Sequence, residues 1–429
     1  MSILRSRLRR AGWGLSDQVL SSLTNFALGI GVARSVSVEE FGAFSLVFGI
    51  FILLLGAARA TSTEPLLVRG HELNEAWGQR VPDATGASLL IGIGAGLACV
   101  LSGVVISGPL SGSLVALGVS LPGLLLQDAW RYAFFSRREG ARAFANDLVW
   151  TITLVMSFSA VMLLDVRSAM AFVLAWGISG TAGGVYGLIQ THLRPKPRRA
   201  LLWWRDQREL SANYLGEFTA MTGAGRITDF GIGAISGLPA VGAIRGTRVL
   251  MGPLNVLLMS ARLVTVPEAV RLSKKSPRQM QLACALVSLL LGTGALAWGL
   301  VLLLLPEEVG SELLGPTWTN AREVVLPISL SMAGSGVLVG AGIGLRALIE
   351  TKRAFRARLV VSVLTIANGL TGAVIAGAKG AAWGFAAAQA IGSVLWWLQL
   401  RTAVAERSRT TNVAGNSADD GHQALADDL

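Results

Sequence analysis

Apolar stretches of roughly 20 residues recur along the chain, each closed by a short polar segment rich in arginine. A helix rises about 1.5 Å per residue, so roughly 20 residues cross the hydrocarbon core of a bilayer. The pattern predicts about twelve membrane-spanning helices. The first six are residues 12–33, 41–62, 84–107, 113–135, 144–164 and 168–190. The second six are 209–236, 239–265, 280–305, 322–348, 358–377 and 380–400. The seventh and eighth spans are interrupted by charges and glycines. Outside the spans lie a basic arm (1–11), a basic linker (191–208) and a polar tail (401–429). The tail has no periodicity, which predicts disorder.

Composition supports this pattern. The 429 residues are 52% hydrophobic and only 15% charged, where soluble domains carry about 25%. The deficit of charge runs the whole length, which excludes a soluble protein with one anchor. The net charge of +11 would suggest nucleic acid in a soluble domain. Here the basic residues sit in the short connections, so no nucleic-acid partner is implied. They crowd into every second connection, from Arg5, Arg7, Arg9 and Arg10 through Arg194–Arg208 to Arg401, Arg407 and Arg409. The opposite side holds only Arg34, Arg167, Arg322 and Lys379. That asymmetry predicts cytoplasmic N- and C-termini. Arginine greatly outnumbers lysine, a usage that resembles coding in a GC-rich bacterium. The implied location is a bacterial cytoplasmic membrane. Cys99, Cys284 and three isolated histidines form no metal-ligand pattern.

The two halves resemble each other in order. VEEFGAF (38–44) aligns with LPAVGAI (238–244), which brings Gly42 onto Gly242. Asp17 aligns with Glu217, and AFVLAWGI (171–178) with GFAAAQAI (384–391). Two six-helix pseudo-repeat lobes, 12–190 and 209–400, are therefore expected around a central cavity. Repeats of this kind are common in transporters, with substrate bound where the halves meet. Chance similarity between Ala/Gly-rich helices is the alternative.

Charges inside hydrocarbon cost several kcal/mol unless they face a cavity or a partner. In the first span, Asp17, Ser21, Thr24 and Asn25 share one helical face. That face is expected to line water or to bond a neighbouring helix. The seventh span carries Glu217, Arg226 and Asp229; the last two are three apart and within pairing reach. The eighth carries Arg245 and Arg248 with no acid near them in sequence. Two cations projecting together suit phosphate, which the planar arginine fork binds well; snorkelling to the outer surface is the alternative. Arg59 and Arg262 are expected to be interface anchors. Trp203 and Trp204 are expected at headgroup level.

The polar first span, followed by ARSVSVEEFGAFSLVFG (33–49), resembles the opening of bacterial polysaccharide transporters. These are the O-antigen-type lipid-linked oligosaccharide flippases of the multidrug/oligosaccharidyl-lipid/polysaccharide exporter superfamily. LLQDAWRYAFFSRREGARAFANDLVW (125–150), LLGPTWTNA (313–321) and GAKGAAWGFAAAQAIG (377–392) are also similar to that family. The resemblance covers most of residues 12–400. It implies two six-helix lobes, alternating access, and a polyprenyl pyrophosphate-linked glycan moved between leaflets. Membrane lipids, and glycan polymerases or glycosyltransferases, would be its partners. Substrate-contact candidates are Arg226, Arg245, Arg248, Ser21 and Asn25. Candidates for gating or for coupling to Na+ or H+ are Asp17, Glu217 and Asp229. The chain lacks the two additional helices of the lipid II flippases. A cation-coupled multidrug extruder is the competing reading, and a membrane-embedded glycan enzyme the next. No cofactor is implied: the sequence holds no P-loop and no nucleophile–base set.

Overall fold

The computed structural model describes residues 26–68 and 77–427, without the side chains of 68, 220–221, 256, 259–260, 262–264 and 408–427. Among the described residues every regular element is helical. α1 is Phe26–Ser35. α2 (Val38–Ala58) continues through a π-helical turn at Arg59–Thr63 into α3 (Glu64–Val68). α4 (Trp77–Val105), α5 (Pro109–Ser136), α6 (Gly140–Leu163) and α7 (Ala169–Thr191) follow. The central segment holds a 3-10 turn (Pro197–Arg199), α8 (Ala200–Asp206) and α9 (Arg208–Phe218). A second π-helical turn, Thr219–Gly223, leads to α10 (Ala224–Leu250), and α11 is Gly252–Lys275. α12 (Pro277–Leu303), α13 (Glu307–Leu314), a 3-10 turn (Gly315–Thr317), α14 (Trp318–Ala347) and α15 (Thr351–Asp427) complete the chain.

Helix ends follow local chemistry. Ser37 caps α2 by accepting from the Glu40 amide at 3.2 Å, and Ser168 caps α7 through the Ala171 amide at 3.2 Å. The Glu40 carboxylate reaches across to accept from the Ala169 amide at 2.6 Å, so one acid serves the start of a second helix. These contacts satisfy helix donors that have no partner of their own.

Nine described helical segments are long and apolar enough to cross a bilayer. The difference from twelve has three causes. Most of the first span lies outside the described residues. The Thr351–Arg407 segment has 57 residues, roughly 85 Å of helix at 1.5 Å per residue, nearly three hydrocarbon cores. It is broken at Ala376 and Gly377, where the backbone leaves helical geometry, so it forms two spans. α10 is likewise broken at Gly237 (φ 81, ψ 174). That is where the sequence separates the seventh span from the eighth.

The chain divides into two compact units. The first runs to Val249 and includes Glu307–Ala321; the second contains Leu250–Pro306 and Arg322–Leu429. In the first unit α5 packs between α4 and α7. Small residues allow this: a Cβ on Gly96 would strike the Gly118 carbonyl, and one on Gly118 the Gly96 carbonyl. In membranes such close backbone approach supplies packing where no hydrophobic drive between helices exists. The core of the second unit gathers Met280, Cys284, Ala341, Leu345 and Leu400, all fully buried. Within it Ser288 and Trp397 both donate to the Val337 carbonyl, at 2.7 and 3.2 Å.

Candidate functional site

The intramembrane arginines come together because of Gly237. Its φ of 81° reverses the chain inside α10, in a region of backbone space that only glycine adopts readily. Asp229 lies eight residues before the break and Arg248 eleven after it, about 12 and 16 Å along the two arms. The arms fold together, and Asp229 Oδ1 accepts from Arg248 Nη1 at 2.7 Å. Arg226, one turn from Asp229 on the same arm, places Nη1 3.5 Å from the other carboxylate oxygen. The sequence gives Arg248 no nearby acid; the fold supplies one nineteen residues away. Arg245 has no carboxylate within ion-pair distance among the described residues. Its guanidinium carbon lies 5.0 Å from the centre of the Phe48 ring on α2.

Arg226, Asp229, Arg245 and Arg248 line one cleft with Ser45, Ile232, Val241 and Ile244. The four ionisable side chains sum to two positive charges. All the lining residues belong to the first unit. The space a water centre can reach is only about 10 Å3, room for a single water. A phosphate does not fit unless α2 and the α10 arms separate.

The crossing of α2 with the second α10 arm has the symmetry expected of the repeat. A Cβ on Gly42 would strike the Leu238 carbonyl, and one on Gly242 the Val38 carbonyl. Val38 aligns with Leu238 and Gly42 with Gly242, so each partner makes the other's contact. A two-fold relation between equivalent segments produces this reciprocity.

No protein-family model and no curated protein matches the sequence. Solved structures do match in three dimensions. A multidrug resistance MATE family transporter of the MOP superfamily, inward-facing, aligns with TM-score 0.70 at 13% identity, over 91% of this chain and 96% of its own. The lipid II flippase MurJ, in an inward closed conformation, gives 0.67 at 12% identity, over 94% and 90%. The chain shares its fold with these two solved transporters. At such identity the likeness concerns the fold alone.

The remaining sequence candidates fall elsewhere in the fold. Asp17, Ser21 and Asn25 lie outside the described residues. Glu217 is exposed on α9 and is not among the residues lining the cleft. Arg59, expected as an interface anchor, has an acidic partner within the fold. In the π-helical turn its Nε and Nη2 bind both oxygens of Asp128 on α5, at 2.8 and 2.6 Å, and its guanidinium lies over Tyr132. Close by in sequence, Arg131 pairs with Asp147 at 3.3 Å, and Gln127 donates to the same carboxylate at 2.9 Å. Asn146 joins this buried network through the Gly183 carbonyl at 2.9 Å and Gln190 at 3.2 Å. Asp128 and Asp147 were not among the sequence candidates. Each is an acid within a predicted apolar span, and that was the available signal. The tryptophans expected at headgroup level do not both face outward. Trp203 is 4% exposed, in the buried cluster that includes Trp130 and Phe134, and the half-buried Trp204 packs against that cluster.

Proposed function

We propose that the protein moves a polyprenyl (pyro)phosphate-linked oligosaccharide, or a related cell-envelope glycan precursor, across a bacterial cytoplasmic membrane by alternating access. The observation that carries this reading is the cluster of three arginines around one aspartate within membrane-spanning helices. An uncompensated positive charge in hydrocarbon is costly, and a phosphate group would lower that cost through charge-assisted hydrogen bonds. Arg226, Arg245 and Arg248 would take the phosphate. Asp229 would hold two of the arginines until substrate arrives, which gives it a gating role. Asp17 and Glu217 would serve ion coupling or gating, and Ser21 and Asn25 on the first span would contact substrate. Two six-helix lobes, 12–190 and 209–400, with both termini in the cytoplasm, would carry the movement. The fold shared with the MATE transporter and with MurJ is compatible with this function and with multidrug extrusion alike. The excess of arginine over acid in the cleft favours the anionic cargo.

The test is the leaflet distribution of lipid-linked glycan in cells depleted of the protein. Build-up on the cytoplasmic leaflet with loss of surface polymer is expected. Unchanged glycan lipids with altered sensitivity to cationic drugs would replace this reading with the extruder.

A further inference from the structure

The segment between α7 and α9 carries charges that the cleft does not use. The left-handed His192 ends α7, and the chain then crosses the end of α4. The Lys196 amide donates to the Pro82 carbonyl at 2.8 Å, and a Cβ on Gly86 would strike the Lys196 backbone. Arg199 reaches Asp83 at 3.5 Å. Ala200 and Trp203 are buried in the cluster that includes Trp77 and Trp130. At the far end Gln207 is buried, and Ser211 Oγ donates to the Thr61 carbonyl of the π-helical turn at 3.4 Å. This connection is therefore a strap held down at both ends.

Its outward face has an unusual composition. Arg194, Lys196, Arg198, Arg205 and Arg208 are all exposed. Between residues 194 and 209 the acids are Asp206 and Glu209. On α8 and at its C-cap the residues facing inward are Ala200, Trp203 and Gln207, spaced for one helical face. The residues facing outward include Leu201 and Leu202, 73% and 54% exposed. Two leucines presented to water beside arginines would be a liability for a solvated loop. At a membrane boundary the same face is satisfied: leucine reaches the acyl margin while arginine and lysine reach phosphate.

We propose that the 194–208 strap is a docking surface for anionic phospholipid headgroups, seated by Leu201 and Leu202 and held by Arg198, Arg205 and Arg208. Its anchorage to α4 and to the α2 π-helical turn makes lipid binding stabilise the helix ends of the first unit. The inference does not depend on what the protein transports.

The test titrates detergent-purified protein with phosphatidylglycerol or phosphatidylcholine and follows thermal unfolding. Phosphatidylglycerol is expected to raise the unfolding temperature more, and about 0.5 M NaCl to erase the difference by screening. Replacing Arg198, Arg205 and Arg208 together by glutamine should weaken phosphatidylglycerol binding at least tenfold, because each cation near an anionic surface adds to the attraction. The response to phosphatidylcholine should be unchanged. Equal stabilisation of the unmodified protein by both lipids would overturn the proposal and point to an acidic protein partner. So would a preference that survives high salt, or one retained by the triple variant. The salt arm needs no variant, so a misfolded variant leaves the test intact.

Discussion

Asp229 serves two arginines, and its loss would leave their charge uncompensated within membrane-spanning helices. Arg245→Ala combined with Arg248→Ala is expected to abolish glycan-lipid transport while membrane insertion stays normal. Leaflet-resolved transport and membrane fractionation check this; normal export by the double variant would remove both residues from the mechanism. Arg59 makes a different kind of pair. Its carboxylate partner Asp128 is 9% exposed, so Arg59→Met should leave a buried acid alone and cost about 3 kcal/mol. Arg59→Met with Asp128→Leu should recover most of that loss, because removing both partners of a buried pair is often near neutral. Thermal unfolding of the four proteins of this cycle measures the coupling. Arg226 and Asp229 were legible in the sequence as neighbours one helical turn apart. The partners of Arg248 and Arg59 were not, since each lies on another helical arm and is set by the fold.

The decisive elements are those that the chain breaks. Gly237 turns one apolar run into two arms, and any Cβ there meets a positive φ. Gly237→Ala is expected to lower stability by about 1–3 kcal/mol and to separate Asp229 from Arg248. Unfolding in detergent would read the first effect. A disulfide between cysteines placed at the two positions, formed less readily when Gly237 is also replaced, would read the second. The α2 crossing makes a similar demand. Gly42→Val or Gly242→Val forces apart backbones already in contact and should cost about 1–3 kcal/mol. An equal cost at both positions would support the two-fold relation; indifference at either would count against it. The alignment of Gly42 with Gly242 came from sequence. That each glycine rests on the other's aligned neighbour came only from the fold, because a repeat in sequence does not state which copies touch.

At the scale of the molecule, the charge asymmetry of the connections makes an orientation prediction. Single cysteines at Arg167 and Arg198, in a protein with Cys99 and Cys284 replaced, should react oppositely with a membrane-impermeant thiol reagent on intact cells. Position 167 should label and position 198 should not. Labelling at 198 alone would reverse the topology. The polytopic helical class was legible early because hydrophobic length is dictated by bilayer thickness, a constraint each span meets by itself. The tryptophans of α8 show where that reasoning fails. Hydropathy says that Trp203 and Trp204 belong near an interface; Trp203 turns inward into the buried cluster that includes Trp130 and Phe134, and the outer face goes to leucine and arginine.

The sequence by itself determined the helical class, the approximate spans, the break between the seventh and eighth, and the identity of the intramembrane arginines. Each depends on local composition: apolar length, a glycine in the right place, a charge where hydrocarbon forbids one. Tertiary structure alone decided which charges meet. Asp229 with Arg248, Asp128 with Arg59 and Asp147 with Arg131 each join different helices or different arms. Such pairs depend on helix rotation and crossing, which are settled by the packing of small residues such as Gly42, Gly96, Gly118 and Gly242, many residues distant from the charges they align.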